Sequence, residues 1–99
     1  MLGGTSSING MVYMRGTPSD YDGWRQKGCE GWAYDDVLPF FKKAENQERG
    51  PDEFHGAGGP LNVSNPVRCA LGDAMVQAAV EAGVPTNNDF NGARQEGVG

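Results

Sequence analysis

The residues of this chain best suited to chemistry stand together near its start, in Gly3-Gly4-Thr5-Ser6-Ser7-Ile8-Asn9-Gly10-Met11-Val12-Tyr13. Successive backbone N–H groups in a Gly-Gly turn can converge on one concavity and hold an anion. A helix opening just beyond would add its positive end. Thr5, Ser6 and Ser7 supply hydroxyl donors for phosphate or ribose, and Asn9 donates and accepts in one plane, which suits the edge of a heteroaromatic ring. Met11, Val12 and Tyr13 can pack on a ring face. Read this way, the loop touches both the phosphates and the ring of a dinucleotide. It is not a GxGxxG turn and no strand precedes it. On composition alone, a Gly/Ser linker that touches nothing is the plainer reading.

The other chemistry-bearing residues are scattered. His55 is the only histidine, and no second His or Cys stands at metal-ligand spacing, so no metal site is expected. Asp35 and Asp36 are adjacent and diverge by about 100° on a helix, so they read as N-terminal charges rather than an acid/base pair. Tyr13, Trp24, Trp32, Tyr34 and Phe40 could box a quaternary ammonium. Core and helix packing is the expected role for those aromatics. Ser6 and Ser7 have no nearby His, which argues against a hydrolase. Asp89 and Asn91 read as turn formers.

These residues need elements to hold them. Thr17-Pro18-Ser19-Asp20, Asp22-Gly23 and Cys29-Glu30-Gly31 carry turn chemistry, with one short helical turn from Asp20 to Gln26. The spacing of Val37, Phe40, Phe41 and Ala44 predicts a helix from Tyr34 to Asn46, with Pro39 tolerable only in its opening turn. Pro60 to Ser64 alternates as a short strand. Leu71, Met75, Ala78, Ala79 and Ala82 predict a second helix from Cys69 to Ala82, closed by Gly83 and Pro85. The expected fold is α/β, mixed and loop-rich, with two main helices and little sheet to cover their apolar faces.

Composition narrows the classes. The 99 residues carry a net charge of −5, which disfavours nucleic acid as a partner. No apolar run approaches membrane-spanning length and no signal-peptide pattern is present. Cys29 and Cys69 belong to no CxxC pair and read as free thiols in a reducing compartment. A cytoplasmic location is therefore expected. With 16 Gly and 37% hydrophobic residues, a chain this size should be marginal alone, because it buries only roughly 60–65% of its unfolded surface.

The opening loop, with Arg15-Gly16 and Asp20-Tyr21-Asp22 after it, closely resembles a signature of the glucose–methanol–choline (GMC) flavoprotein oxidoreductases, choline dehydrogenase-like members above all. The likeness continues through Trp24 and Gly31 to Glu45, Phe54-His55-Gly56, Gly59-Pro60-Leu61, Asp89-Phe90-Asn91-Gly92 and Gln95-Glu96-Gly97. The blocks keep the family's order over nearly the whole chain. The resemblance implies an FAD/NAD(P)-binding Rossmann-like fold and oxidation of a small alcohol by hydride transfer to flavin. Residues 1–33 would form the flavin-facing loop and FAD lid, and residues 34–99 a segment leading into the substrate domain.

Position by position, the resemblance implies that Gly3, Gly4 and Ser6 run beside FAD, with Asn9, Gly10, Met11 and Val12 at the flavin end. Ile8 matches a place where some relatives carry a His bonded covalently to FAD, so non-covalent FAD is implied here. No position in this chain matches the family's catalytic His, and His55 falls in a connecting segment with a structural or surface role. The absence of the GxGxxG strand-turn unit and of the catalytic block suggests an internal fragment, inactive alone, whose partners are the remaining parts of the GMC fold. The parent enzyme would be cytoplasmic, with peripheral membrane association compatible. The alternative is a non-catalytic flavin-site or protein-interaction module completed by a partner chain.

Overall fold

The first helix is set by one threonine. Thr17 Oγ1 accepts from the Asp20 N–H at 3.3 Å while Asp20 Oδ2 accepts from the Thr17 N–H at 2.6 Å, a capping box with Pro18 in the first helical turn. The computed structural model, which describes all 99 residues, therefore has α1 over Pro18–Gln26. The sequence suggested only one helical turn here, because Thr-Pro-Ser-Asp serves equally as a turn and as a cap.

Helix α2 (Tyr34–Ala44) starts where Asp36 Oδ2 accepts the Ala33 N–H at 3.2 Å. It carries Pro39 in its interior rather than in its opening turn, on the exposed side. It also stops short of Asn46. Glu45 turns extended and begins β1 (Glu45–Gln47), which pairs in parallel with β2 (Leu61–Val63), Glu45 beside Leu61 and Gln47 beside Val63. The short strand expected at 60–64 is β2; two of the three residues of its partner β1, Glu45 and Asn46, fall inside the predicted helix.

The crossover between the strands lies close against α2. A Cβ on Gly56 would strike the Lys42 carbonyl and one on Gly59 the Ala44 carbonyl, so both positions require glycine for backbone approach. Lys42 Nζ donates to the carbonyls of Asp52 and Glu53 at 2.8 and 3.0 Å and fastens the far end.

Helix α3 (Ala70–Glu81) is capped by Cys69, whose Sγ accepts the Gly72 N–H at 3.4 Å. Cys29 and Cys69 are both free and exposed. Three helices and a two-stranded sheet make the fold, one helix more than expected.

Packing is confined to one region. The Tyr21 ring lies 5.5 Å from Trp24, 5.8 Å from Phe41 and 6.2 Å from Tyr34, and Trp24 meets Trp32 at 5.8 Å, so α1 and α2 join through aromatics. Phe40, placed by the spacing on the same stripe, stands in solvent instead. Tyr21 is the only buried apolar side chain. The exposed Leu71 and Met75 of α3 confirm that this helix lacks a covering sheet. A radius of gyration of 16.0 Å exceeds the roughly 13 Å of a compact chain of this length.

Candidate functional site

Gly3 (φ 88°) and Gly4 (φ 64°) turn the chain through the left-handed region into a 3-10 turn over Gly4–Ser7. Ser7 Oγ donates to the Leu2 carbonyl at 2.9 Å, and the Ile8 and Asn9 N–H groups both donate to the Thr5 carbonyl. Asn9 Oδ1 accepts the Met11 N–H at 2.6 Å and holds Met11 at φ 55°, which few side chains other than glycine adopt. Gly3, Gly4, Ser6, Asn9, Gly10, Met11 and Val12 all lie on this one exposed stretch. Met11 is 84% and Val12 78% exposed, and nothing in the chain lies within 4 Å of a Cβ built at Gly10. Two surface concavities, lined by Arg25, Gln26, Gly28, Glu30 and Gly31 and by residues between Gly16 and Lys27, contain no residue of the stretch. The loop is thus one exposed wall, with Met11, Val12, Thr5 and Ser6 in the open and free backbone at Gly4 and Gly10, while Ser7 folds back over Gly3 to the Leu2 carbonyl.

Directly after this wall the chain dives into a buried polar cluster. The Arg15 N–H donates to Asn91 Oδ1 at 2.8 Å, and Asn91 Nδ2 donates to the Tyr13 carbonyl at 3.0 Å. The Arg15 guanidinium donates to the Phe54 carbonyl at 2.7 Å and to Glu45 Oε2 at 2.9 Å, and it sits 5.1 Å from the Phe41 ring centroid. Glu45 has no exposed surface. It also accepts from the Gly56 N–H at 2.9 Å, and His55 Nδ1 lies 2.9 and 3.1 Å from its two oxygens. His55 Nε2 lies 2.8 Å from Asp89 Oδ2, and Arg49 approaches Asp89 at 3.7 Å. Arg15 Nε and Gln47 Oε1 are buried with no partner.

The electrostatics follow from this packing. Burial pushes the His55 pKa down, but the hydrogen bonds its ring donates to Glu45 and Asp89, with their charges, outweigh it and raise the pKa above the ordinary 6.5. Desolvation opposes ionisation of Asp52, yet the Phe54 and His55 N–H groups, each 2.7 Å from Oδ1, hold its carboxyl below the usual 3.8. Burial raises the Tyr34 phenol, partly countered by Arg15. Asp52, His55 and Asp89 bring potential metal-ligand atoms within 4.8 Å of one another, but both His55 ring nitrogens are already directed at carboxylates.

The sequence located the exposed loop but missed the cluster behind it. His55 is structural, yet wholly inside rather than at the surface. Arg15, Glu45, Asn91 and Asp89 come from separated segments. Each nevertheless falls within a motif block quoted for the family resemblance, and that is the signal that could have joined them.

The family model described as GMC oxidoreductase matches residues 1–99. The oxygen-dependent choline dehydrogenase of Burkholderia ambifaria is 52% identical over 101 residues, spanning 99% of this chain and 18% of that protein. The enzyme of the same name from Sinorhizobium fredii is 50% identical over 100 residues, again 18% of its length. Among solved structures, pyridoxine 4-oxidase from Mesorbium loti superposes with a TM-score of 0.83 at 35% identity, covering 93% of this chain and 19% of that one. An FAD-dependent oxidoreductase from Chaetomium thermophilum gives 0.80 at 31% identity, covering 93% and 18%. The chain thus spans about a fifth of the length of these relatives, and it belongs to the GMC oxidoreductase family.

Proposed function

We propose that this chain is the flavin-facing segment of an FAD-dependent, choline dehydrogenase-like enzyme that oxidises a small alcohol. The observation that carries this reading is half-identity to oxygen-dependent choline dehydrogenases along the whole chain. Residues 3–12 suit the role: an exposed wall with backbone open to close approach at Gly4 and Gly10, one planar amide and an apolar run. Gly3, Gly4 and Ser6 run beside FAD, and Asn9, Gly10, Met11 and Val12 meet its flavin end. FAD, when bound, supplies the hydride-accepting chemistry. The chain's own residues bind and orient. The Gly4 N–H and the Ser7 hydroxyl already donate to the Met1 and Leu2 carbonyls, so the Gly3 and Gly10 N–H groups and the Thr5 and Ser6 hydroxyls remain to donate to oxygen atoms; the Asn9 amide oxygen holds Met11, and Met11 and Val12 exclude water from the ring.

Ile8 has no nucleophilic atom, so the flavin is held non-covalently. Residues 1–33 serve as loop and lid and residues 34–99 lead to the substrate side. The cytoplasm is the location this reading favours. The test is a chimera in which this chain replaces the matching segment of the Burkholderia ambifaria enzyme. The reading expects alcohol oxidation, with all flavin freed by acid precipitation. A folded chimera that binds flavin but oxidises no alcohol would contradict the substrate class. Flavin that stays with the precipitate would contradict the non-covalent reading.

A further inference from the structure

Of all the groups the proposed chemistry leaves unused, the His55 ring is the most constrained. It is 2% exposed, and both its nitrogens face carboxylates, Nδ1 toward Glu45 at 2.9 Å and Nε2 toward Asp89 at 2.8 Å. A neutral imidazole has one N–H and one lone pair. In that form one nitrogen would turn its lone pair on a carboxylate oxygen at hydrogen-bond distance. Only the imidazolium donates to both.

The charges around the ring come from every segment packed on it. Arg15 arrives from the N-terminal segment, Glu45 from β1, Arg49 and Asp52 from the crossover, and Asp89 from the turn near the C-terminus; on α2, Lys42 holds the Asp52 and Glu53 carbonyls and the neutral Tyr34 phenol feels Arg15 and Asp89. The two carboxylates are not held alike. Glu45 keeps the Arg15 guanidinium and the Gly56 N–H whatever His55 does. Asp89 is 28% exposed and otherwise meets Arg49 at 3.7 Å and the Asn91 N–H, while Arg49 also holds the neighbouring Asn88 carbonyl at 2.9 Å. The same turn carries Asn91, which grips Tyr13 and Arg15 at the exit of the 3–12 loop.

We infer that the His55 imidazolium is a proton-held clasp: by bridging Glu45 and Asp89 it seats the Asp89–Asn91 turn, and through Asn91 it positions the loop ending at Val12. Its relevance to flavin rests on the functional reading above; the clasp itself does not. Loss of the proton leaves Nδ1–H on Glu45 and releases Asp89. The turn then loosens, and the hold on Tyr13 and Arg15 loosens with it. His55 is a positioning residue in this arrangement. The folded-state pKa lies above 6.5, so the clasp is closed at and below that pH and opens as pH rises through the raised value.

The chain has one histidine, so a single set of ring resonances reports it. The experiment is an NMR titration of the 99-residue chain, following the His55 ring together with the Arg15 N–H and the Asn91 side-chain amide. We expect a ring midpoint above 6.5 and the same midpoint in both amides. Asp89→Asn should lower the ring midpoint and uncouple the Arg15 amide from it. A ring that titrates at or below 6.5, amides indifferent to its midpoint, or amides that lack dispersion at low pH would overturn the clasp. A parallel titration of flavin release from the chimera separates the two readings. Release at the His55 midpoint supports the flavin role. Flat retention, with the amide coupling intact, leaves the clasp standing and removes its role at flavin.

Discussion

At the residue scale, the account turns on Arg15 and Glu45, a buried pair that the aromatic packing alone would not explain. Breaking a buried pair from one side leaves an uncompensated charge. Glu45→Gln should therefore cost about 3–5 kcal/mol. The double variant Arg15→Met, Glu45→Leu should cost less than the single one, because it removes the stranded guanidinium, while His55 keeps Asp89 as its carboxylate and the Gly56 N–H loses its acceptor. Urea unfolding of the three chains measures this directly, and equal losses in the single and double variants would contradict it. The pH dependence has two signs. His55 has a raised pKa, so its contribution is complete below 6.5 and is lost as pH rises through the folded value. Asp52 has a lowered pKa, so its contribution is complete above 3.8 and is lost as pH falls through the folded value. Urea midpoints should fall on both sides, and His55→Gln should flatten the alkaline limb. The 3–12 stretch stood out because its residue types cluster within ten positions, and its place at flavin came from the resemblance and remains a proposal. Glu45 did not stand out, because a lone glutamate after a lysine pair reads as a solvated helix end until its partners are known.

At the element scale, glycine marks where segments touch. Gly56→Ala would push a Cβ into the Lys42 backbone and should destabilise the chain by about 1–3 kcal/mol. Gly23 lies inside α1 with nothing near a built Cβ and no left-handed φ. Gly23→Ala should stabilise by about 0.5–1 kcal/mol through helix propensity. Thermal melts of the two variants should move in opposite directions. Helices α2 and α3 were read within two residues at their starts, since spacing and caps are local signals. The exit of α2 was misread because β1 depends on pairing with Leu61–Val63, which no local pattern encodes. Helix α1 was underread because a cap and a turn use the same residues.

At the scale of the whole molecule, apolar burial is scarce. Tyr21 alone is a buried apolar residue, while Leu2, Met11, Val12, Leu71 and Met75 face outward. Little apolar surface would be newly exposed on unfolding, so the isolated chain should melt broadly with a small heat-capacity step and bind an apolar dye when folded. A sharp calorimetric transition would contradict this. Composition foretold the thin core, and the resemblance foretold the fold family. Neither could foretell that the interior is a polar cluster, because it is assembled from segments as far apart as Arg15 and Asn91.

The central claim is that the wall formed by residues 3–12 lies against flavin, and Gly10 tests it most directly. Open space surrounds a side chain at Gly10 in this chain, so valine there should leave the chain's own fold intact. The measurement is the ratio of flavin to protein absorbance in the purified chimera, with Gly10 and with Gly10→Val. The account predicts near-stoichiometric flavin with glycine and loss of most of it with valine, at unchanged circular dichroism. A Gly10→Val chimera that keeps its full flavin would contradict it.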